Sequence, residues 1–168
     1  MNSTRSLAHL PPRPTISRFV APWDTSGWYI AATDFANGSR LYTNADIVAL
    51  DVPRELLGGD SIVTFDSHSD RFDDKQGVIF SVERNARVYV ALDPRADSHF
   101  LPTFEETGLT LGVSNGLRYR LFARNFRYGD EVRLPGFSGD CHHYAVIVCP
   151  LGDDPEAACP SVARSHLV

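Results

Sequence analysis

Residues 87–92, RVYVAL, alternate Val88, Val90 and Leu92 with Arg87, Tyr89 and Ala91, and this period of two constrains the fold more than any other feature. Successive side chains of a strand point to opposite faces, so the pattern predicts a strand with one face in a core. Similar short segments recur at residues 16–21, 28–33, 46–52, 61–65, 77–83, 109–113, 117–126, 132–134 and 143–149, each bounded by turn-forming residues. Asn37-Gly38 and Asn115-Gly116 are hairpin-type turns by composition. Residues 84–86 are also short enough to close a hairpin between 77–83 and 87–92. Residues 53–57 suit a single helical turn, with Pro53 at its first position and Gly58-Gly59 ending it. No stretch holds a helical period for three turns. The expected fold is therefore all-β: an antiparallel β-sandwich, jelly-roll or fibronectin-like, of about nine or ten short strands.

Length and charge narrow the function classes. At 168 residues the chain is one domain's worth, long enough to bury a core without staples. Pro11, Pro12 and Pro14 mark residues 1–14 as a flexible or extended arm, residues 15–150 form the sandwich domain, and 151–168 read as a tail. The longest apolar runs, such as 144–149, are too short to cross a bilayer. A net charge of -5, with Lys75 the one lysine, disfavours nucleic acid, because phosphate binding relies on lysine and arginine. The first residues lack a basic segment, an apolar run and a small-residue cleavage site, which predicts a cytoplasmic location. Cys141, Cys149 and Cys159 have no CxxC spacing; one bridge, Cys149 to Cys159, is compatible with the loop-like tail.

Four polar groupings could carry chemistry. Asp66, His68 and Asp70, with Asp73 and Asp74 close behind, place hard oxygen ligands on one loop, and Ca²⁺ is the ion they would suit. The bland alternative is a loop neutralised by Arg71 and Lys75. In the run Asp140-Cys-His-His-Tyr144, His142 or His143 could act as a general base with Asp140 orienting the ring. Adjacent residues on a strand face opposite ways, so only one of the two histidines can enter a given pocket. On residues 117–124, Arg118, Arg120 and Arg124 share a face with Phe122, a surface for a carboxylate or phosphate ligand, or simply an outer face paired with acids. Finally, Pro94 ends the 87–92 strand and leaves Asp93, Arg95, Asp97 and His99 on a rim loop, either to fix that loop or to touch a ligand. Trp28 and Tyr144 join the ligand-binding candidates as amphipathic rings.

The words VYVALDPRAD, a following proline and FEETGLTL, with VPRELLGGDSIVTF upstream and HYAVIV at the end, resemble a β-sandwich accessory domain appended to secreted bacterial glycoside hydrolases and polysaccharide lyases, often labelled fibronectin type III-like. The likeness spans residues 41–148. It implies a ligand-binding module for carbohydrate that performs no reaction itself and serves a separate enzyme. The alternative from the residues alone is a small standalone lyase, isomerase or cyclase, with Asp140, His142 or His143 moving a proton beside an arginine. No GxSxG, HExxH, phosphate-binding or dinucleotide-binding pattern is present. Exposed sheet edges leave a homodimer open as a partner.

Overall fold

In the computed structural model the described residues are 15–20, 30–66, 77–136 and 140–152. They form ten strands: β1 (Ile16–Val20), β2 (Ile30–Ala32), β3 (Ala49–Asp51), β4 (Asp60–Val63), β5 (Ile79–Val82), β6 (Ala86–Leu92), β7 (Glu105–Val113), β8 (Arg118–Phe126), β9 (Glu131–Arg133) and β10 (Ala145–Pro150). Two 3₁₀ turns, Arg54–Leu56 and Ser98–Phe100, are the helical segments among the described residues. The protein is all-β, and its strands pair antiparallel.

One sheet has three strands in the order β1-β5-β9, and the other has seven in the order β2-β4-β10-β6-β8-β7-β3. The first apolar core lies between them. Phe80 and Val82 of β5 and Val132 of β9 meet Val88 and Val90 of β6, Phe122 and Phe126 of β8, and Val146 and Val148 of β10. The alternate residues of the same central strands are buried as well. Tyr89, Ala91, Tyr119, Leu121 and Ile147 enter a second core with Phe35, Leu41, Tyr42, Ala49 and Leu56. The period of two in residues 87–92 thus separates one core from another rather than core from solvent. The cause is that residues 35–57 cross the outer face of the large sheet and supply it with apolar cover.

That crossing segment also curls the large sheet. Arg40 bridges Val48, next to β3, and Tyr42 bridges Thr64, next to β4. Backbone bonds from Thr64 to Leu41 and from Thr43 to Thr64 fasten the join. The two margins of the sheet are therefore linked through residues 40–43, and the second core fills the half-barrel so formed.

The turn at Asn115-Gly116 does join a hairpin, β7 to β8, with Gly116 at φ 86° where an L side chain is strained. Residues 83–85 do not. β5 belongs to the three-stranded sheet and β6 to the seven-stranded one, so the short link carries the chain over the edge of the first core. Its polar groups are tied to other segments: the Glu83 N–H donates to the Thr15 carbonyl and the Leu151 N–H to the Asn85 carbonyl. A three-residue gap between alternating segments reads identically for a hairpin and for a change of sheet, and pairing partners distant in sequence decide between them.

Candidate functional site

Because β10 runs antiparallel to both β4 and β6, its entry, residues 140–144, sits beside the ends of those two strands. Three chain segments thus bring their polar residues together: Asp66 just past β4, Asp93 just past β6, and His142 and His143 just before β10. Asp93 has no exposed surface. Arg95, two residues on, clasps it with Nε on Oδ1 at 2.9 Å and Nη2 on Oδ2 at 2.6 Å, and the Arg95 backbone N–H also reaches Oδ1 at 2.9 Å. The His142 backbone N–H adds a bond to Oδ2 at 3.1 Å. Burial alone would raise the Asp93 pKa, but the Arg95 and His142 hydrogen bonds and the Arg95 charge outweigh it and bring it to about 2.

Asp66 performs the neighbouring join. Its Oδ2 lies 2.8 Å from the His142 ring Nδ1, and its Oδ1 accepts the His143 backbone N–H at 3.1 Å. Asn44 meets its backbone on both sides, donating from Nδ2 to the Asp66 carbonyl and accepting the Asp66 N–H, each at 2.7 Å. The carboxylate on the His142 ring is therefore that of Asp66. Asp140, expected to fill that role from its place in the chain, is exposed. The nearer residue in sequence is exposed, and the residue 76 positions upstream is delivered by strand pairing.

The two histidines differ in environment, as their adjacency predicts. His143 is buried, its ring Nδ1 2.9 Å from the Tyr144 carbonyl and its ring against that of Tyr144. Burial pushes its pKa down to about 4, against a smaller opposing pull from the Tyr144 carbonyl and Asp66, so the ring is neutral at pH 7. The His142 side chain keeps 17% of its surface exposed and faces the ring of Tyr42. Tyr42 donates to the His143 carbonyl at 2.6 Å, which leaves Tyr119 to donate to the Tyr42 oxygen at 2.8 Å. Burial raises both phenol pKa values, keeping the pair protonated.

The other candidates fall elsewhere. Arg118, Arg120 and Arg124 share one face of β8, as the alternation predicts, and acids meet two of them: Asp51 lies 2.7 Å from Arg118 and Glu106 lies 3.6 Å from Arg120. Arg124 donates to the Thr103 hydroxyl and lies over the Phe126 ring. His99 and Asp97 pair with each other on the surface, with the His99 backbone N–H capped by the Asp97 carboxylate. Tyr144 is a core residue whose hydroxyl donates to the Pro135 carbonyl. Trp28, His68 and Asp70, like Cys159, lie outside the described residues. Among the described residues no three His, Cys, Asp or Glu side chains are grouped to hold a metal ion, and no helix is long and apolar enough to cross a membrane.

The structure adds a feature the sequence did not signal. Where the margins of the large sheet meet, a cleft of about 450 Å³ opens between Ala32, Thr33, Ser61 and Val63 on one side and Ser39, Arg40, Tyr42 and Thr43 on the other. Its second wall is the segment that Asn44 and Tyr42 fasten to the buried network. The polar junction and the cleft are thus two sides of one construction: the junction fixes the wall, and the wall shapes the cleft.

No family model and no curated protein matches the chain. Among solved structures it is similar to a β-glucuronidase from glycoside hydrolase family 2, with a TM-score of 0.70 and 23% identity, over 84% of this chain and 15% of that one. A GH138 enzyme targeting pectin rhamnogalacturonan II is similar over 79% of this chain and 15% of its own, at 14% identity and a TM-score of 0.49. The chain therefore spans about 15% of the length of each structure it matches, and what it shares with the family 2 β-glucuronidase is the fold of one small part of that protein.

Proposed function

We propose that this chain is a non-catalytic, carbohydrate-associated accessory module, a β-sandwich that binds a sugar-containing ligand on behalf of an enzyme whose reacting groups lie elsewhere. The observation that carries the reading is the inward engagement of the groups best suited to proton transfer. A general base must come within hydrogen-bond reach of a substrate proton. Asp93 instead spends its oxygens on Arg95 and a backbone N–H, Asp66 on His142 and a second backbone N–H, and the neutral His143 ring on a carbonyl. These bonds lock three strand ends in place. The likeness in fold to part of a family 2 β-glucuronidase supports the carbohydrate association.

Electrophoresis of the protein through gels cast with neutral or acidic polysaccharides tests this directly. Retarded migration, with no change in the reducing ends or unsaturated products of the same polymers, is the expected result. The second reading, a small lyase, isomerase or cyclase, is favoured by one observation: the Asp66 carboxylate orients the His142 ring as a carboxylate orients a catalytic imidazole. Turnover of any polymer that disappears in a folded His142→Gln variant would establish that alternative and end the non-catalytic one.

A further inference from the structure

We infer that the cleft at the meeting of the sheet margins is the sugar-binding subsite and that Arg40 selects a unit bearing a carboxylate, as in a uronic acid. The inference rests on the accessory-module reading above and gives it a location and a ligand class. Several observations converge on this cleft. Its volume of about 450 Å³ falls within the ordinary range of small-ligand sites. Thr33, Ser39, Thr43 and Ser61 are among its lining residues, and hydroxyls of this kind both donate to and accept from sugar hydroxyls.

Arg40 is the arginine that lines the cleft, and little holds its side chain. Arg95 is clasped at 2.6 Å by a fully buried carboxylate, and Arg118 lies 2.7 Å from Asp51. Arg40 has only a 3.5 Å contact with Asp46, whose side chain is fully exposed, while more than half of the Arg40 side chain faces solvent. Surface pairs of that kind contribute little. A ligand carboxylate can replace Asp46 and accept two parallel N–H bonds from the guanidinium fork, the geometry in which arginine outperforms lysine. The backbone beneath is already fixed: Leu41 and Thr43 pair with Thr64, Tyr42 is bonded to the His143 carbonyl and Tyr119, and Asn44 is bonded to Asp66. A wall ordered in advance leaves less entropy to lose on binding.

Calorimetric titration of the full chain with two matched pairs of disaccharides tests the inference: cellobiose against cellobiouronic acid, and galactobiose against digalacturonic acid. The expected result is at least one acidic member bound about tenfold or more tighter than its neutral partner, a difference of about 1.4 kcal/mol. Arg40→Ala should abolish that preference and Arg40→Lys should restore only part of it, while Arg118→Ala, on β8, should leave it unchanged. Equal binding of acidic and neutral members overturns the inference, as does a preference that survives Arg40→Ala and vanishes with Arg118→Ala. Both of those results leave the accessory-module reading standing. Absence of binding by every disaccharide, together with unretarded migration in every polysaccharide gel, removes the inference and that reading alike.

Discussion

Asp93 shows how one side chain can decide whether a junction holds. It is fully buried, yet it carries a charge that Arg95 and two backbone N–H groups stabilise. Removing the guanidinium takes away the charge partner of a buried carboxylate, although the half-exposed arginine is itself screened by solvent. Arg95→Ala is expected to lower the urea unfolding midpoint, moderated by the two backbone donors that remain and by the solvent that reaches the guanidinium. Arg95→Lys should recover only part of the loss, since an ammonium cannot bond both carboxylate oxygens in the same plane. The clasp was legible in the sequence because its partners lie two residues apart and Pro94 restricts the backbone between them. The bond from Asp66 to His142 was not, as 76 residues separate them. Local composition pointed to Asp140, and only strand pairing brings the more distant carboxylate to the ring.

At the scale of the strand, a close approach matters more than propensity. Gly77 leads into β5 against the chain leaving β9, and a Cβ built on it would fall 1.5 Å from the Leu134 carbonyl oxygen and 2.4 Å from the carbonyl carbons of Leu134 and Pro135. These are backbone atoms, with no flexible side chain to move aside. Gly77→Ala should therefore force β5 and β9 apart and expose Phe80 and Val132, lowering stability by about 3 kcal/mol or more. The expected readout is a lower urea midpoint, with the added dye binding of a loosened apolar core. Most strands could be placed from alternation and turn residues, because those signals are local. Alternation could not tell that both faces of β6 are buried, since Tyr89 and Ala91 fit a solvent margin as readily as a second core. What settles their burial is the cover supplied by residues 35–57, a tertiary fact that no short window of sequence holds.

Across the whole molecule, stability should follow pH through two separate windows. His143 is buried neutral, with its pKa lowered from 6.5 to about 4. The unfolded chain therefore takes up a proton more readily than the folded one, so the contribution of this residue is complete above pH 6.5 and is lost as pH falls through about 4. The shift corresponds to roughly 3 kcal/mol. Asp93, lowered from 3.8 to about 2, has the same sign: its contribution is present above pH 3.8 and is lost as pH falls through about 2. Urea midpoints measured from pH 8 to pH 3 should be flat at first and then decline from about pH 6.5. His143→Gln should be less stable at pH 7 and should lack the decline between pH 6.5 and 4. A wild-type profile that stays flat down to pH 4 would contradict the buried neutral assignment.

At its centre, on β6 and β10, the seven-stranded sheet is covered on both faces, and this limits how the molecule can vary. A substitution at a buried position of β6, β8 or β10 disturbs one of two packed interiors, so those positions have little latitude for change. The segment around Arg40 touches solvent on one side and is pinned on the other by groups that do not depend on the Arg40 side chain itself. New ligand preferences could therefore arise there through single exposed replacements, leaving the scaffold beneath them undisturbed.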